Sequence, residues 1–508
     1  MINSFIKSKL RRNFVYLGTF VCSFLLYVQT ASGADAIRYD TTATSISKHI
    51  EVLCSSEFNG RSALSSHDLK AVSFVDSIFR TTGLKPYRSI PSNSFKQPVN
   101  IVCTTPLSSS ISILGKTYNF GTDFINLGQA PKPLNNIDIV FGGTGDNDQL
   151  DSLDLNGKAL FILTNNLRIG ALKVHETAKR KGCVLIISAN PTNNQQFSQI
   201  AQQVKSVNAA TSYTLANSSG SVLTRSFSPN ANPIPQILVS NHLAEAILGE
   251  SPQIVWDRNT EVDRIKKLPS TLKIDVLFNK QIDTLKTYNV VGWIPSAKAS
   301  QRSIVVGAHL DHLAQNGQNW FPGADDNASG VALVIELAKR FASKNDYRFN
   351  SNIVFVAFTA EEIGLLGSQQ YAKTPLFPAD STLVLLNFDM VGRVGVQKGR
   401  KKTLFINGNN KLEAFGEMAM QCNTDSTLTI DYKTLSKNSL FTISDHYHYE
   451  KMGLPSYLLT TGLHRDYHTP NDTPDKLSIE GIAQIADYIE RLIIEIDRLN
   501  RTLPMDTN

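Results

Sequence analysis

Six of the ten histidines in this 508-residue chain, His309, His312, His446, His448, His464 and His468, fall in the last 200 residues, among acidic residues at telling positions. The apolar run Ser303–Ala308 leads into His309-Leu310-Asp311, the run Asn352–Thr359 into Glu361-Glu362, and the run Leu383–Phe388 into Asp389. Between the first two lies Gly323-Ala324-Asp325-Asp326-Asn327-Ala328-Ser329-Gly330, an acidic loop opening onto a helix, and later comes Tyr467-His468-Thr469-Pro470-Asn471-Asp472-Thr473, a histidine among turn residues. Taken singly, most of these have ordinary explanations. Asp325-Asp326 before a helix reads as an N-cap pair favoured by the helix dipole, and Glu361-Glu362 as a solvated loop. Asp389, ending a strongly apolar run, lies near a buried sheet and needs a partner, as does His309. Taken together, two histidines and three carboxylates at strand ends form a mixed nitrogen and oxygen set suited to Zn²⁺ or a similar divalent ion.

The elements that must position these residues are legible from Lys273 onward. Strands are expected at Val290–Ile294, Ser303–His309, Asn352–Thr359 and Leu383–Phe388, alternating with helices at Gly330–Ala342, Leu365–Ala372 and Ser478–Leu499. That alternation predicts an α/β fold, a mostly parallel sheet covered by helices on both faces, with its active site outside the carboxyl ends of the strands. Other catalytic templates fail. His175-Glu176-Thr177-Ala178-Lys179 has Lys where a helical zinc motif needs its second His. Gly60-Arg61-Ser62-Ala63-Leu64 is not a nucleophile elbow, and no phosphate-binding lysine loop is present.

Upstream, residues 34–134 contain a helix over His67–Thr81, with Leu69, Val72, Phe74, Val75, Ile78 and Phe79 as its apolar side and Gly83 ending it. From about Asn135 to Lys267 the texture becomes a smaller α/β module: Ile137–Phe141, Ala159–Thr164, a helix near Ala171–Lys181, Val184–Ser188, then Ile234–Ser240 and a helix at Asn241–Leu248.

Composition bounds the rest. With 42% apolar and 19% charged residues the chain is globular, and its length suits one large domain plus an accessory one. Of the net charge of +6, Lys7, Lys9, Arg11 and Arg12 supply four, which removes the electrostatic motive for nucleic-acid binding. Those cations precede the apolar run Phe14–Val28 and the small residues Ala31-Ser32-Gly33, which read as a secretory signal over residues 1–33; the run is short for a bilayer span, and an uncleaved N-terminal anchor stands as the alternative. Cys22 follows bulky Phe20-Val21 and does not read as a lipidation site. Cys54, Cys103, Cys183 and Cys422 contain no C-x-x-C pair, so neither a cysteine zinc site nor a particular disulfide is predicted.

The series Gly307-Ala308-His309-Leu310-Asp311, Gly323–Gly330, Ala360-Glu361-Glu362-Ile363-Gly364-Leu365-Leu366-Gly367-Ser368, Asn387-Phe388-Asp389-Met390-Val391-Gly392 and Tyr467-His468-Thr469 resembles the M28 family of zinc metallopeptidases. The likeness covers roughly residues 40–130 and 270–500, and Gly60-Arg61 and Gly83-Leu84-Lys85-Pro86 look like the family's N-terminal signature. The 135–267 module resembles a protease-associated (PA) domain through Asp154-Leu155-Asn156-Gly157-Lys158-Ala159 and Lys181-Gly182-Cys183-Val184. The domains expected are thus a signal peptide at 1–33, the peptidase domain at 34–134 and 268–508, and the PA-like insertion at 135–267.

The resemblance implies two Zn²⁺ per chain, with Asp326 bridging, His309 and Asp389 completing one site, and Glu362 and His468 completing the other. It makes Glu361 the general base acting on a two-metal-bound hydroxide, places the Tyr467 hydroxyl on the tetrahedral intermediate, and suggests a cis peptide at Asp326–Asn327. Asp311 is placed to accept the other ring N–H of His309. Asp445, in Ser444-Asp445-His446, falls in the surroundings of the site, with His446 and His448 as packing or substrate-contact residues; His312 and His464 carry no role. Trp320 and Phe321 suit either a pocket entrance or cover for the sheet edge. The expected function is an exported aminopeptidase acting on peptides, periplasmic, cell-surface or secreted. A carboxypeptidase or dipeptidase, a glutaminyl cyclase and a non-catalytic receptor-like protein stand as alternatives, and Arg393 is the residue to examine for a C-terminal carboxylate. Oligomeric state is not readable from the sequence.

Overall fold

The computed structural model describes residues 41–87, 93–127, 132–209, 211–216, 234–259, 272–345, 347–395, 402–408, 412–433 and 443–499. The expected signal segment, with Cys22, lies outside the described residues. The chain divides into two compact units, Met1–Val99 with Lys286–Asn508, and Asn100–Leu285.

The sheet of the first unit is built from β1 (the end of Lys273–Ile294), β2 (Ser303–His309), β3 (Asn352–Phe358), β4 (Thr382–Phe388), β5 (Thr403–Gly408), β6 (Thr429–Asp431) and β7 (Ser456–Thr460), in the order β6-β5-β7-β4-β2-β3-β1. The four central strands β7, β4, β2 and β3 are parallel, while β1 runs antiparallel to β3 and β5 antiparallel to β7. Every residue of β2, β3 and β4 is buried, as expected where helices cover both faces of a parallel sheet. Their side chains alternate between two cores. Ile304, Val306, Ala308, Ile353, Phe355, Val384 and Leu386 join one with α1 (Ser66–Thr81), α2 (Gly330–Ala342) and α6 (Ile479–Leu499). Val305, Val354, Val356, Phe358 and Leu385 meet Tyr371 of α3 (Leu366–Lys373) and Tyr449 of α5 (Tyr447–Lys451) on the other face, and α4 (Leu412–Gln421) lies between β5 and β6 in sequence.

Helix α1 starts one residue earlier than expected, where the Ser65 hydroxyl accepts from the His67 and Asp68 amides. It buries Val72, Val75 and Phe79, half-buries Phe74 and Ile78, and leaves Leu69 exposed, because the helix seats Ala71 in the core instead.

The second unit holds a sheet in which Leu134–Phe141, Ala159–Leu163, Leu185–Ala189 and Gln236–Val239 run parallel, with Phe124–Leu127 antiparallel at the edge. Helices Leu167–Arg180, Asn194–Ala209, Asn241–Leu248 and Pro252–Asn259 belong to it. It extends beyond residues 135–267, because Ile111, Ile113, Tyr118 and Phe124 before that stretch and Leu272, Ile274, Val276 and Phe278 after it share one core with Ile139, Phe161 and Ile187. Cys54, Cys103, Cys183 and Cys422 are buried and unpaired.

Candidate metal centre

The carboxyl ends of the parallel strands converge on one place. His309 closes β2, Glu361-Glu362 follow β3, Asp389 follows β4, and the loop after β7 carries Tyr467 and His468. Asp326 arrives from the turn Ala324–Ser329 heading α2, where the Asp326–Asn327 peptide is cis. Ala360, Met390 and His468 all have positive φ (57°, 59° and 55°), a conformation that non-glycine residues adopt rarely and that clusters where chains are bent to a task.

Two groups of donors meet at Asp326. His309 Nε2 stands 3.3 Å from both Asp326 Oδ1 and Asp389 Oδ1, and His468 Nε2 stands 3.2 Å from both Asp326 Oδ2 and Glu362 Oε2. Ligands 2.0–2.1 Å from a tetrahedral zinc ion stand roughly 3.3 Å apart, so the donor set and its spacing fit zinc. The second group includes a residue that sequence reasoning left unassigned, His312, whose Nδ1 lies 2.8 Å from Glu362 Oε1. Its signal was available in the spacing, since His312 lies only three residues beyond His309, but only the loop's path shows which way its ring turns.

The surroundings differ in part from expectation. The free ring nitrogen of His309, Nδ1, meets the main-chain carbonyl of Asp311 at 3.1 Å, not its carboxylate. That carboxylate is taken up by the amides of Glu361 and Glu362, at 3.0 and 3.2 Å, and so fixes the two glutamates instead. Burial pushes the Asp311 carboxyl up to about 8, with His309 opposing and Glu362 adding. Ser444, not Asp445, touches a donor of the centre: its hydroxyl donates to Asp389 Oδ2 at 2.7 Å and accepts from Asn387 Nδ2 at 2.8 Å. Asp445 is fully buried, and burial pushes its carboxyl up to about 7. His446 and His448 are buried too, and burial lowers both to about 4.

The turn bearing Asp326 is tied down by Asp472, whose Oδ2 accepts the amides of Asp325 and Asp326 at 2.9 and 3.0 Å. Asp325 does not cap α2. Its carboxylate accepts from the Gly392 amide and the Ser329 hydroxyl and faces His464 Nε2 at 3.1 Å. Arg393 turns inward, pairing with Asp472 at 3.1 Å and Asp466 at 3.4 Å, with its side chain only 8% exposed.

Above the donors opens a pocket of about 480 Å³, partly open to solvent. Its floor is His309, Asp326, Glu361, Glu362, Asp389 and His468, and its rim includes Met390, Ile443, Leu463 and Tyr467; no Lys or Arg is among the described residues lining it, and neither Trp320 nor Phe321 is. Burial pushes the Glu361 carboxyl well above the usual range, with His309 opposing and Glu362 adding. Burial and the carboxylates of Asp326 and Glu362 raise the Tyr467 hydroxyl, whose ring stacks on His468 at 3.8 Å, so it stays a neutral donor.

A family model, peptidase family M28, matches residues 289–493, the segment that supplies every residue of this centre. Residues 289–493 form an M28 peptidase domain. Similar chains include a probable zinc metalloprotease of Pyrenophora tritici-repentis, 38% identical over 22% of this chain and 25% of its own length. A probable leucine aminopeptidase of Arthroderma otae is 32% identical over 35% of this chain and 49% of its own, and the aminopeptidase YwaD of Bacillus subtilis 27% identical over 44% and 47%. The chain thus spans between a quarter and a half of the length of these relatives. Among solved structures, an aminopeptidase from Aneurinibacillus sp. strain AM-1 aligns over 92% of this chain and 96% of its own at 21% identity, with a TM-score of 0.49. No helix among the described residues of the M28 domain or the second unit is long and apolar enough to cross a membrane.

Proposed function

We propose that this chain is an exported zinc-dependent exopeptidase, an aminopeptidase that removes N-terminal residues from peptides. The observation that carries the reading is a pocket floored by two donor groups sharing Asp326, with the half-buried Glu361 beside them and no lysine or arginine in its described lining. His309, Asp326 and Asp389 would hold one ion, and Asp326, Glu362 and His468 the other. Zinc so bound supplies a lowered pKa for water and polarises the scissile carbonyl. Glu361, whose carboxyl favours the proton, takes one from the attacking water and hands it to the leaving amine. The Tyr467 hydroxyl, keeping its proton, donates a hydrogen bond to the oxygen that becomes anionic. A carboxypeptidase needs a fixed cation for the substrate's terminal carboxylate, and Arg393 is already committed to Asp466 and Asp472. The names of the relatives, aminopeptidase and zinc metalloprotease, support the same reading, and the N-terminal pattern of cations followed by an apolar run supports export. For the second unit, its parallel α/β module and the Asp154–Ala159 and Lys181–Val184 stretches support a PA-like insertion.

The test is hydrolysis of matched free-amino and N-acetylated peptides with and without chelator. Chelator-sensitive release of N-terminal residues from the free-amino peptides alone is expected; acetyl-tolerant release of C-terminal residues overturns the aminopeptidase reading. Glu361→Gln is expected to retain zinc and lose about 10²–10⁴-fold in kcat; loss of zinc instead would show that Glu361 binds metal.

A further inference from the structure

His312 is the imidazole beside the centre that this ligand assignment leaves without work. Its side chain is fully buried, with Nδ1 2.8 Å from Glu362 Oε1 and 3.5 Å from Asp326 Oδ2. Nε2 is buried with no hydrogen-bond partner among the described residues. One side of the ring packs against His468, centroids 5.7 Å apart at 65°. Gly323, at φ +55°, borders it too: a Cβ there would fall 2.5 Å from the ring's Cδ2, so the ring occupies space that only glycine leaves free.

Two arrangements are chemically open. Nδ1 could offer its lone pair to a cation as a fourth protein donor beside Asp326, Glu362 and His468, or it could carry the proton and donate to Glu362. A neutral imidazole has one N–H. In the first arrangement that N–H is Nε2–H, buried without an acceptor, the rarer and costlier kind of orphan. It would also fill all four positions of a tetrahedral ion, the closed set of structural zinc sites, whereas catalytic sites keep a position open. In the second, the orphan is only a lone pair, Glu362 Oε1 is satisfied, and Oε2 is left facing His468 Nε2 at 3.2 Å.

We infer that His312 is a positioning residue: its Nδ1–H donates to Glu362 Oε1 and so presents Glu362 to its metal through Oε2 alone. The inference rests on the two-metal reading above, and its test separates the two. The metal-free full chain is titrated with zinc against a chromophoric chelator, as wild type, His312→Ala and His312→Asn. Wild type takes up two zinc ions. His312→Ala weakens one of them about 10–100-fold, the usual effect of removing a hydrogen bond to a ligand, and leaves the other unchanged. His312→Asn, whose amide N–H sits where Nδ1–H did, restores most of that loss, which a general packing role would not do. Equal affinities in all three chains overturn the inference and spare the metal reading; a wild type that binds no zinc overturns both. A crystal structure of the zinc-loaded wild type decides the issue without any variant: His312 Nδ1 beyond about 3 Å from zinc is expected, and a bond of about 2.0–2.1 Å makes it a ligand and overturns the inference.

Discussion

His446 shows how strongly burial at this centre can act on a single group. Both its ring nitrogens are buried without hydrogen-bond partners, the Glu450 carboxylate comes no nearer than 3.9 Å, and burial lowers its pKa to about 4. An unfolded histidine titrates near 6.5, so between pH 6.5 and 4 the unfolded chain binds the extra proton. The stability that neutral His446 contributes is therefore full above about pH 6.5 and is lost as pH falls through 4. His446→Leu removes the titration and leaves no polar orphan. In chemical unfolding of the metal-free chain, the variant is expected to gain about 2 kcal/mol on wild type between pH 7 and 4.5. Parallel loss in both proteins would mean that His446 is charged in the folded state. At this scale the sequence was informative about residue types and poor about directions. His309, Glu362 and Asp389 stood out because each ends or follows a strand and Asp326 because it opens a helix, whereas His468 stood out only as a histidine among turn residues. The partners of Asp311, Ser444 and His312 were not, because a side chain two or three residues into a loop points where the loop's dihedrals send it.

Elements position the centre through very short distances between their ends. Gly330 begins α2 so close to the end of β4 that a Cβ would fall 2.3 Å from Asn327 Oδ1 and 2.6 Å from the Phe388 carbonyl. Asn327 is itself fixed there, donating to the Phe388 carbonyl and accepting from the Gly330 amide. A methyl group at 330 must push the turn bearing Asp326 away from the strand bearing Asp389. Gly330→Ala is accordingly expected to cost about 1–3 kcal/mol by overpacking and to weaken zinc binding. Calorimetric melting with and without added zinc measures both, and a variant that melts as wild type and keeps its zinc-dependent rise in Tm would show that the contact yields without moving Asp326. The helices and strands that meet here were legible where their patterns were long: Ser303–His309 and Gly330–Ala342 fall where sequence reasoning placed them. Thr403–Gly408, Thr429–Asp431 and Ser456–Thr460 were not recognised, because apolar runs of three to six residues between turns carry too few periods to mark a strand.

Across the whole chain, one long-range tie within the first unit is Arg61, wholly buried with its guanidinium bonded to main-chain carbonyls. Its guanidinium donates to Leu53, Leu310, Pro322 and Gly323 at 2.7–3.0 Å. One side chain thereby joins the helical segment 41–53 to the loop just after His309 and to the loop just before Asp326. In the sequence, Gly60-Arg61 was recognisable only as a family signature, because nothing local shows that its partners lie about 250 residues away. The planar guanidinium meets four divergent acceptors at once, whereas an ammonium offers three donors from a single point. Arg61→Ala would take the donor from the Leu53, Leu310 and Pro322 carbonyls, while Gly323 keeps the Ala328 amide; with unmatched buried groups costing about 1–3 kcal/mol each, the loss is expected to reach at least about 3 kcal/mol. Arg61→Lys is expected to recover little of it, since charge is not what the site uses: no carboxylate pairs with Arg61 among the described residues. Both variants should release zinc to a chelator faster than wild type, because the loops on either side of His309 and Asp326 lose their common anchor. Melting temperature and chelator-driven release, measured on the same samples, check the argument. Recovery of both by lysine would show that one positive charge suffices and that the fork of donors is dispensable; recovery of neither ties the ligand geometry of the C-terminal half to a residue near the N-terminus.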